Sequence, residues 1–219
     1  MKTLNEIGLN YNSDKVSEHH NYLDLYDKFF TPIRLKENRI LEIGILHGDS
    51  IKMLRDYFET STITGIDIDN KEHLSSDRLI ILQGDQSNKN FLEKFEDNSF
   101  DVIIDDGSHQ MSHQQISFGV LFKKLKKGGI YIIEDLHTSL PEYFETVVYG
   151  KRLFGLNDEN SNSTIKFLET IHDGIPSSQY LTEEEIKYIT DNVSSVEIHV
   201  TNDKQKDKQS ITSIILKNE

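Results

Sequence analysis

The sequence contains no cysteine. Disulfide staples, thiolate metal ligands and a thiol nucleophile are excluded, although that absence does not fix a compartment. Long apolar runs are missing too. None approaches the roughly 20 residues that a membrane helix requires, and Met1–Asn10 lacks the continuous apolar core of a signal peptide. Positive charge is scarce: 24 Lys and Arg stand against 37 Asp and Glu, a formal net charge of −13. Such a surface repels phosphates at long range, which argues against nucleic acid as the main partner. A small anionic substrate in a local basic pocket is still compatible with it. With 36% hydrophobic residues over 219 positions, the chain can bury a core of its own. The expectation is a cytoplasmic protein of one domain, 1–219, with no membrane span. Its oligomeric state, homo-oligomer or monomer, is not legible.

What is present is an alternation. RILEIGI (Arg39–Ile45) is a short apolar run rich in β-branched residues, the pattern of a buried strand. Helical spacing follows from Asp49 to Phe58. TITGIDID, RLIILQGD, DVIID and GGIYIIED are four further strand candidates. Between the last two, Ile116, Val120, Leu121 and Leu125 form an apolar helix face, with Lys123, Lys124, Lys126 and Lys127 outside and Gly128–Gly129 as the stop. Strands alternating with helices predict parallel βαβ units covered on both faces. The end of the chain departs from this. SVEIHV and SITSIILK have no helix between them and predict an antiparallel hairpin. Just before them, LTEEEIKYITDN predicts a helix with Thr182 and Glu185 as a capping box. NSDKVSEHHNYLDLYDKFF predicts a loop and an amphipathic helix within an N-terminal cap segment, 1–36. The polar stretch Gly155–Thr164 reads as a mobile loop.

Three successive strand ends carry acids or amides. LEIGILHGDS places Glu42, Gly44, Gly48 and Ser50 at a strand-to-helix turn. Glycines there let a ligand approach the backbone, and the helix N-terminus offers free N–H groups to a carboxylate. The spacing is not the G-x-G-x-x-G of a dinucleotide site, and Glu42 would repel a phosphate while suiting an amino or sulfonium group. Asp67 closes the second strand, where an acid can accept hydrogen bonds from ribose hydroxyls. Asp69 reads as a solvated loop residue. Asp85 and Gln86 close the third strand, placed to meet an adenine edge. Taken singly, each acid also suits a helix cap.

These motifs, with the terminal hairpin, resemble class I S-adenosylmethionine-dependent methyltransferases. More narrowly, SDKVSEHHNY, DDGSH and IIEDLHTS resemble the metal-dependent sugar O-methyltransferases of the mycinamicin type. The resemblance runs from Asn12 to Ser139 and through the final hairpin. It implies a three-layer, Rossmann-like α/β fold with a mostly parallel seven-stranded sheet and an antiparallel C-terminal strand. It assigns Gly44, Gly48 and Ser50 to the methionine part of the donor, Asp67 to its ribose, and Asp85 with Gln86 to its adenine. Residues 140–194 match nothing in it and are the expected insert for acceptor specificity.

In that topology strands four and five are neighbours, about 5 Å apart, which brings Asp106 beside Glu134 and Asp135. Three close carboxylates repel one another unless a cation neutralises them, and all-oxygen ligands favour a hard divalent ion, Mg²⁺ first and Mn²⁺ second. The resemblance assigns the metal to the same three residues. A metal holding two neighbouring sugar hydroxyls would make the acceptor more acidic. The resemblance makes His109 the general base; otherwise it is a cap for the following helix. Successive strand residues face opposite ways, so Asp105 belongs near the donor or in a supporting bond, and a one-residue slip would exchange it with Asp106.

His20, Tyr22 and His137 are candidate contacts to the acceptor. His113 has a supporting or surface role. Lys15, Lys28 and Arg34 are candidate partners of a diphosphate. The implied acceptor is a sugar: a nucleotide sugar, a polysaccharide unit or a glycosylated natural product. The alternatives are a catechol-like O-methyltransferase and a non-haem metal oxygenase with Asp106, His109 and a second histidine, His113 or His137, on iron.

Overall fold

The computed structural model describes residues 1–140, 163–171, 173–174, 176–205 and 208–219. Seven strands form one sheet: β1 (Arg39–Ile43), β2 (Thr62–Asp67), β3 (Leu79–Gln83), β4 (Phe100–Asp105), β5 (Leu125–Ile133), β6 (Val193–Asp203) and β7 (Lys208–Lys217). Their order is β3-β2-β1-β4-β5-β7-β6, and β7 runs antiparallel to both of its neighbours. The expected fold class is the one observed. Each predicted strand lies where an apolar run met polar or glycine boundaries, and the C-terminal hairpin pairs Val196 with Ile215 and Ile198 with Ser213.

Helices cover both faces. On one side lie α1 (Leu4–Tyr11), α2 (Leu23–Phe30) and α3 (Asp49–Tyr57). Their Leu4, Leu23, Tyr26, Phe30, Leu54 and Tyr57 share a core with Ile40, Val102, Ile104 and Ile132 of the strands. A short α4 (Lys89–Leu92) follows β3. On the other side lie α5 (Met111–Lys124), α6 (Thr164–Thr170) and α7 (Glu183–Asn192). There Phe118, Leu121, Leu168 and Ile189 pack on Leu41, Ile43, Ile103, Tyr131 and Ile133. Side-chain parity thus divides each strand between two cores.

That parity positions the chemistry. Ile40 belongs to the first core, so Glu42, two residues on, points to the same face; Val102 and Ile104 set Asp106 there, and Ile130 and Ile132 set Glu134 there. The ladder continues past the formal strand ends, with Asp106 N–H bonded to Ile43 O at 3.0 Å and Glu134 N–H to Asp105 O at 2.9 Å. Asp105, out of phase, points to the α5 face, where the Ser117 hydroxyl donates to it.

Two expectations need correction. Gly128–Gly129 do not stop the helix: α5 ends at Lys124, Leu125 is already extended, and the glycines lie inside β5. The strand starts early because Leu125 pairs with Phe100 across a register shift, and Gly128, at φ +68°, donates to Asn218 O at 3.0 Å. The N-terminal segment also holds an extra helix, α1, closed by a Thr3–Glu6 capping box. The Thr182–Glu185 capping box of α7 forms as expected. Of the polar stretch Gly155–Thr164, residues 155–162 lie outside the described residues, Ser163 caps α6 and Thr164 begins it. Among the described residues no helix is long and apolar enough to cross a membrane.

Candidate active site

The acidic and glycine motifs singled out in the sequence gather at the C-terminal ends of β1 to β5, where open α/β sheets bind ligands. The turn after β1 is built on left-handed backbone at Gly44 (φ +79°) and Gly48 (φ +81°). A Cβ on Gly44 would collide with the carbonyl oxygen of Asp106, so only glycine lets the β1 and β4 turns close on each other. Glu42 is fully buried. The Ser50 hydroxyl donates to its Oε1, and its Oε2 has no hydrogen-bond partner. Burial pushes the Glu42 carboxyl up to about 7, against the pull of Lys15 and Ser50. The turn opens on a cavity of about 450 Å³, lined also by Asp67, Lys71, Asp106, His109 and Asp135.

A second cavity of about 320 Å³ shares Gly44, Asp67 and Gly107 with the first and continues to Asp85, Ser108 and His113. Asp67 stands between them. Its Oδ2 accepts from Ile45 N–H at 3.1 Å, Leu46 N–H at 3.2 Å and Lys71 Nζ at 2.8 Å. Burial raises its pKa, but the bonds from Lys71 and the backbone outweigh that and hold it below the usual carboxylate range. Asp85 accepts from the N–H and hydroxyl of Ser87 while lining the second cavity. Gln86 differs from the expectation that its amide meets a ligand edge. Its Nε2 donates to Asp105 Oδ1 at 3.0 Å and its Oε1 accepts from Ser108 N–H at 2.6 Å. The amide is buried and ties the β3 turn to the β4 turn.

Asp105 and Asp106 part company as their parity requires. Asp105 is buried and bonded to Gln86 and Ser117, and burial pushes its carboxyl up to about 6 against those bonds. Asp106 instead takes an ion pair from Lys15. The same Lys15 Nζ lies 2.8 Å from Glu134 Oε2 and 3.9 Å from Glu42 Oε1. Lys15 was expected, at most, to meet a diphosphate; at 2% exposure among three carboxylates it is not available to one. Arg34 is likewise engaged, stacked on the Tyr57 ring and bonded to the Tyr57 carbonyl.

Asp135 has left-handed backbone (φ +54°) and collects the aromatic groups. The Tyr22 hydroxyl donates to its Oδ1 at 3.0 Å. His109 Nε2 is 3.8 Å away, His20 Nδ1 3.9 Å and His137 Nδ1 4.0 Å. The rings of His20, Tyr22 and His137 stack in a row. Burial works to raise the Asp135 pKa, but the three imidazoles and Lys15 pull it well below the usual range. His113 lies apart, its Nδ1 2.8 Å from the Ser108 hydroxyl on the second cavity, which removes it as a partner of Asp106.

The donor set suits a divalent cation. One ligand atom each from Asp106, His109 and Asp135 lies within 4.8 Å of the others. Glu42, Asp106 and Glu134 are three carboxylates around one ammonium, and Glu134 Oε1 is buried with no hydrogen-bond partner. Missing positive charge and an orphaned carboxylate oxygen are what a hard ion would satisfy.

The sheet order, the glycine turn and the acidic strand ends define a class I methyltransferase fold. Residues 41–136 match the family model described as a methyltransferase domain. The chain is 39% identical over 145 residues to 8-demethyl-8-(2-methoxy-α-L-rhamnosyl)-tetracenomycin-C 3'-O-methyltransferase of Streptomyces olivaceus, covering 62% of this chain and 37% of that protein. It is 35% identical to mycinamicin VI 2''-O-methyltransferase of Micromonospora griseorubida, covering 62% and 36%. Among solved structures, MycE methyltransferase from the mycinamycin pathway, in complex with Mg, SAH and mycinamycin VI, superposes with a TM-score of 0.77 and 28% identity. That superposition covers 100% of this chain and 55% of MycE. The chain spans well under half the length of these curated relatives and about half that of MycE.

Proposed function

We propose that this chain transfers the methyl group of S-adenosylmethionine to a sugar hydroxyl with the help of a divalent cation, Mg²⁺ first. The observation that carries this is the meeting of a glycine-built cavity with a carboxylate cluster and His109 at one end of one sheet. The named relatives, which are sugar O-methyltransferases, support the same choice.

Gly44, Gly48, Ser50 and Glu42 would receive the methionine end of the donor, and Asp67 its ribose. The second cavity would take the adenine, with Asp85 at its polar edge and Gln86 holding the wall. The donor supplies an electrophilic methyl on a sulfonium. Asp106, Glu134 and Asp135 would hold the cation, which would supply Lewis acidity to a sugar hydroxyl of the acceptor. His109, which lines the cavity with its Nε2 3.8 Å from Asp135 Oδ2, would take the acceptor proton as the new C–O bond forms and the C–S bond breaks. The row of His20, Tyr22 and His137 would form the wall against which the sugar lies, since flat rings suit the apolar faces of a pyranose. Holding acceptor oxygen, methyl carbon and sulfur in line is the main task of the frame.

The residues 140–194 would govern the choice of acceptor, and their described part, α6 and α7, packs under the sheet. Glycosylated natural products are the acceptor class the relatives suggest. The experiment is transfer of a radiolabelled methyl group to three acceptor panels: rhamnosylated or macrolide glycosides, nucleotide sugars and catechols. Labelling of a glycoside or nucleotide sugar is expected. Labelling of catechols alone would move the assignment to a phenol O-methyltransferase.

A further inference from the structure

Lys15 belongs to no element of the sheet, yet it is among the most buried charges in the molecule, at 2% exposure. It comes from the loop between α1 and α2, and its carbonyl accepts from Tyr22 N–H at 2.9 Å and Leu23 N–H at 3.3 Å, so the start of α2 fixes its backbone. Its ammonium reaches the C-terminal ends of three strands at once: Glu42 in the last residues of β1, Asp106 after β4 and Glu134 after β5. Asp106 and Glu134 are also two of the three carboxylates that would hold the divalent cation. Two cations therefore address the same carboxylates.

We propose that Lys15 is a positioning residue that sets the cation affinity of the cluster, its tethered ammonium competing with the divalent ion for Asp106 and Glu134. This rests on the metal reading given above. The ammonium has somewhere to go. Glu42 Oε2 is buried with no hydrogen-bond partner, and a lysine on a flexible stem can swing from one carboxylate to another while keeping its charge paired. A swing toward Glu42 would place a positive charge at the turn that receives the donor. Metal and donor sites would then communicate through one side chain. Competition of this kind keeps metal binding weak and reversible, because every ion that enters must offset the ammonium it displaces.

The test is a titration of the full chain with Mn²⁺ alone, following free Mn²⁺ by electron paramagnetic resonance, alongside thermal melts in EDTA and in Mn²⁺. Lys15→Met is expected to bind Mn²⁺ at least about tenfold more tightly than the wild type, since removing a neighbouring like charge favours the second cation. Its melting point is expected to fall in EDTA and to rise with Mn²⁺ by more than that of the wild type. Lys15→Arg, which keeps the charge, is expected to show no tightening. A purely structural brace would lower the melting point equally with and without Mn²⁺ and leave affinity unmoved; that result overturns the proposal while the metal reading stands. Weaker Mn²⁺ binding by Lys15→Met overturns it too. Failure of both Lys15→Met and Lys15→Gln to fold in Mn²⁺ would also do so, because the ion could not replace the ammonium. Absence of Mn²⁺ binding by the wild type itself removes the metal reading, and the proposal falls with it.

Discussion

Asp105 and Asp106 are adjacent in sequence and face opposite layers of the molecule: Asp105 is bonded to Ser117 and Gln86 on the α5 side, and Asp106 to Lys15 on the N-terminal side. The two should therefore fail differently. Asp106→Asn is expected to lower methyl transfer by about 10²-fold or more through loss of a cation ligand, with weakened Mn²⁺ binding. Asp105→Asn leaves the Ser117 hydroxyl facing an amide and is expected to cost about 1–3 kcal/mol of stability, with Mn²⁺ affinity retained. Urea denaturation and Mn²⁺ titration of both variants check the division.

His109 sits at φ +58°, a left-handed conformation that asparagine tolerates better than most residues. His109→Asn thus keeps the turn while removing the imidazole. The expected result is a fall in kcat of about 10²-fold or more, with affinity for S-adenosylhomocysteine unchanged. A near-normal rate at neutral pH would remove His109 as the base.

Gly44→Ala is expected to lose donor binding outright. The left-handed backbone disfavours any side chain by about 1–2 kcal/mol, and the added methyl meets the Asp106 carbonyl, which cannot move without shifting the metal acids. Calorimetric titration with S-adenosylhomocysteine measures this.

Much of this was legible in the chain. Apolar runs between glycine or polar boundaries marked the strands, alternation along DVIIDD separated Asp105 from Asp106, and the adjacency of strands four and five set Asp106 beside Glu134 and Asp135. Lys15 was not legible. A lysine beside Ser13 and Asp14 has the local signature of a solvated loop, and only the closure of the N-terminal segment over three strand ends buries it. The tie that Gln86 makes between two turns was not legible for a related reason. An amide at a strand end suits a ligand or a neighbouring turn equally well, and the bonds to Asp105 and Ser108 choose the turn. The Thr3–Glu6 capping box was legible as a T-x-x-E pattern at the start of α1.

Lys217 offers a test of the fold away from the site. Its ammonium is buried against the carbonyls of Phe122 and Leu125, and burial brings its pKa down to about 8 from 10.5, with Lys127 adding to the shift and Asp97 opposing it. The folded state thus binds this proton less tightly than the unfolded chain does. Its contribution to stability is expected to rise as pH climbs from about 8 to 10.5. Lys217→Met removes that dependence, so the stability of the wild type relative to the variant should grow over this window in urea denaturation. A constant difference would mean that the ammonium is not desolvated.

Under the proposed function, a divalent cation on Asp106, Glu134 and Asp135 activates a sugar hydroxyl beside the donor. Methyl transfer to a labelled glycoside acceptor, measured in excess EDTA and again after adding back Mg²⁺, tests it most directly. Loss of transfer in EDTA and full recovery with Mg²⁺ is the predicted result. Undiminished transfer in excess EDTA would contradict it.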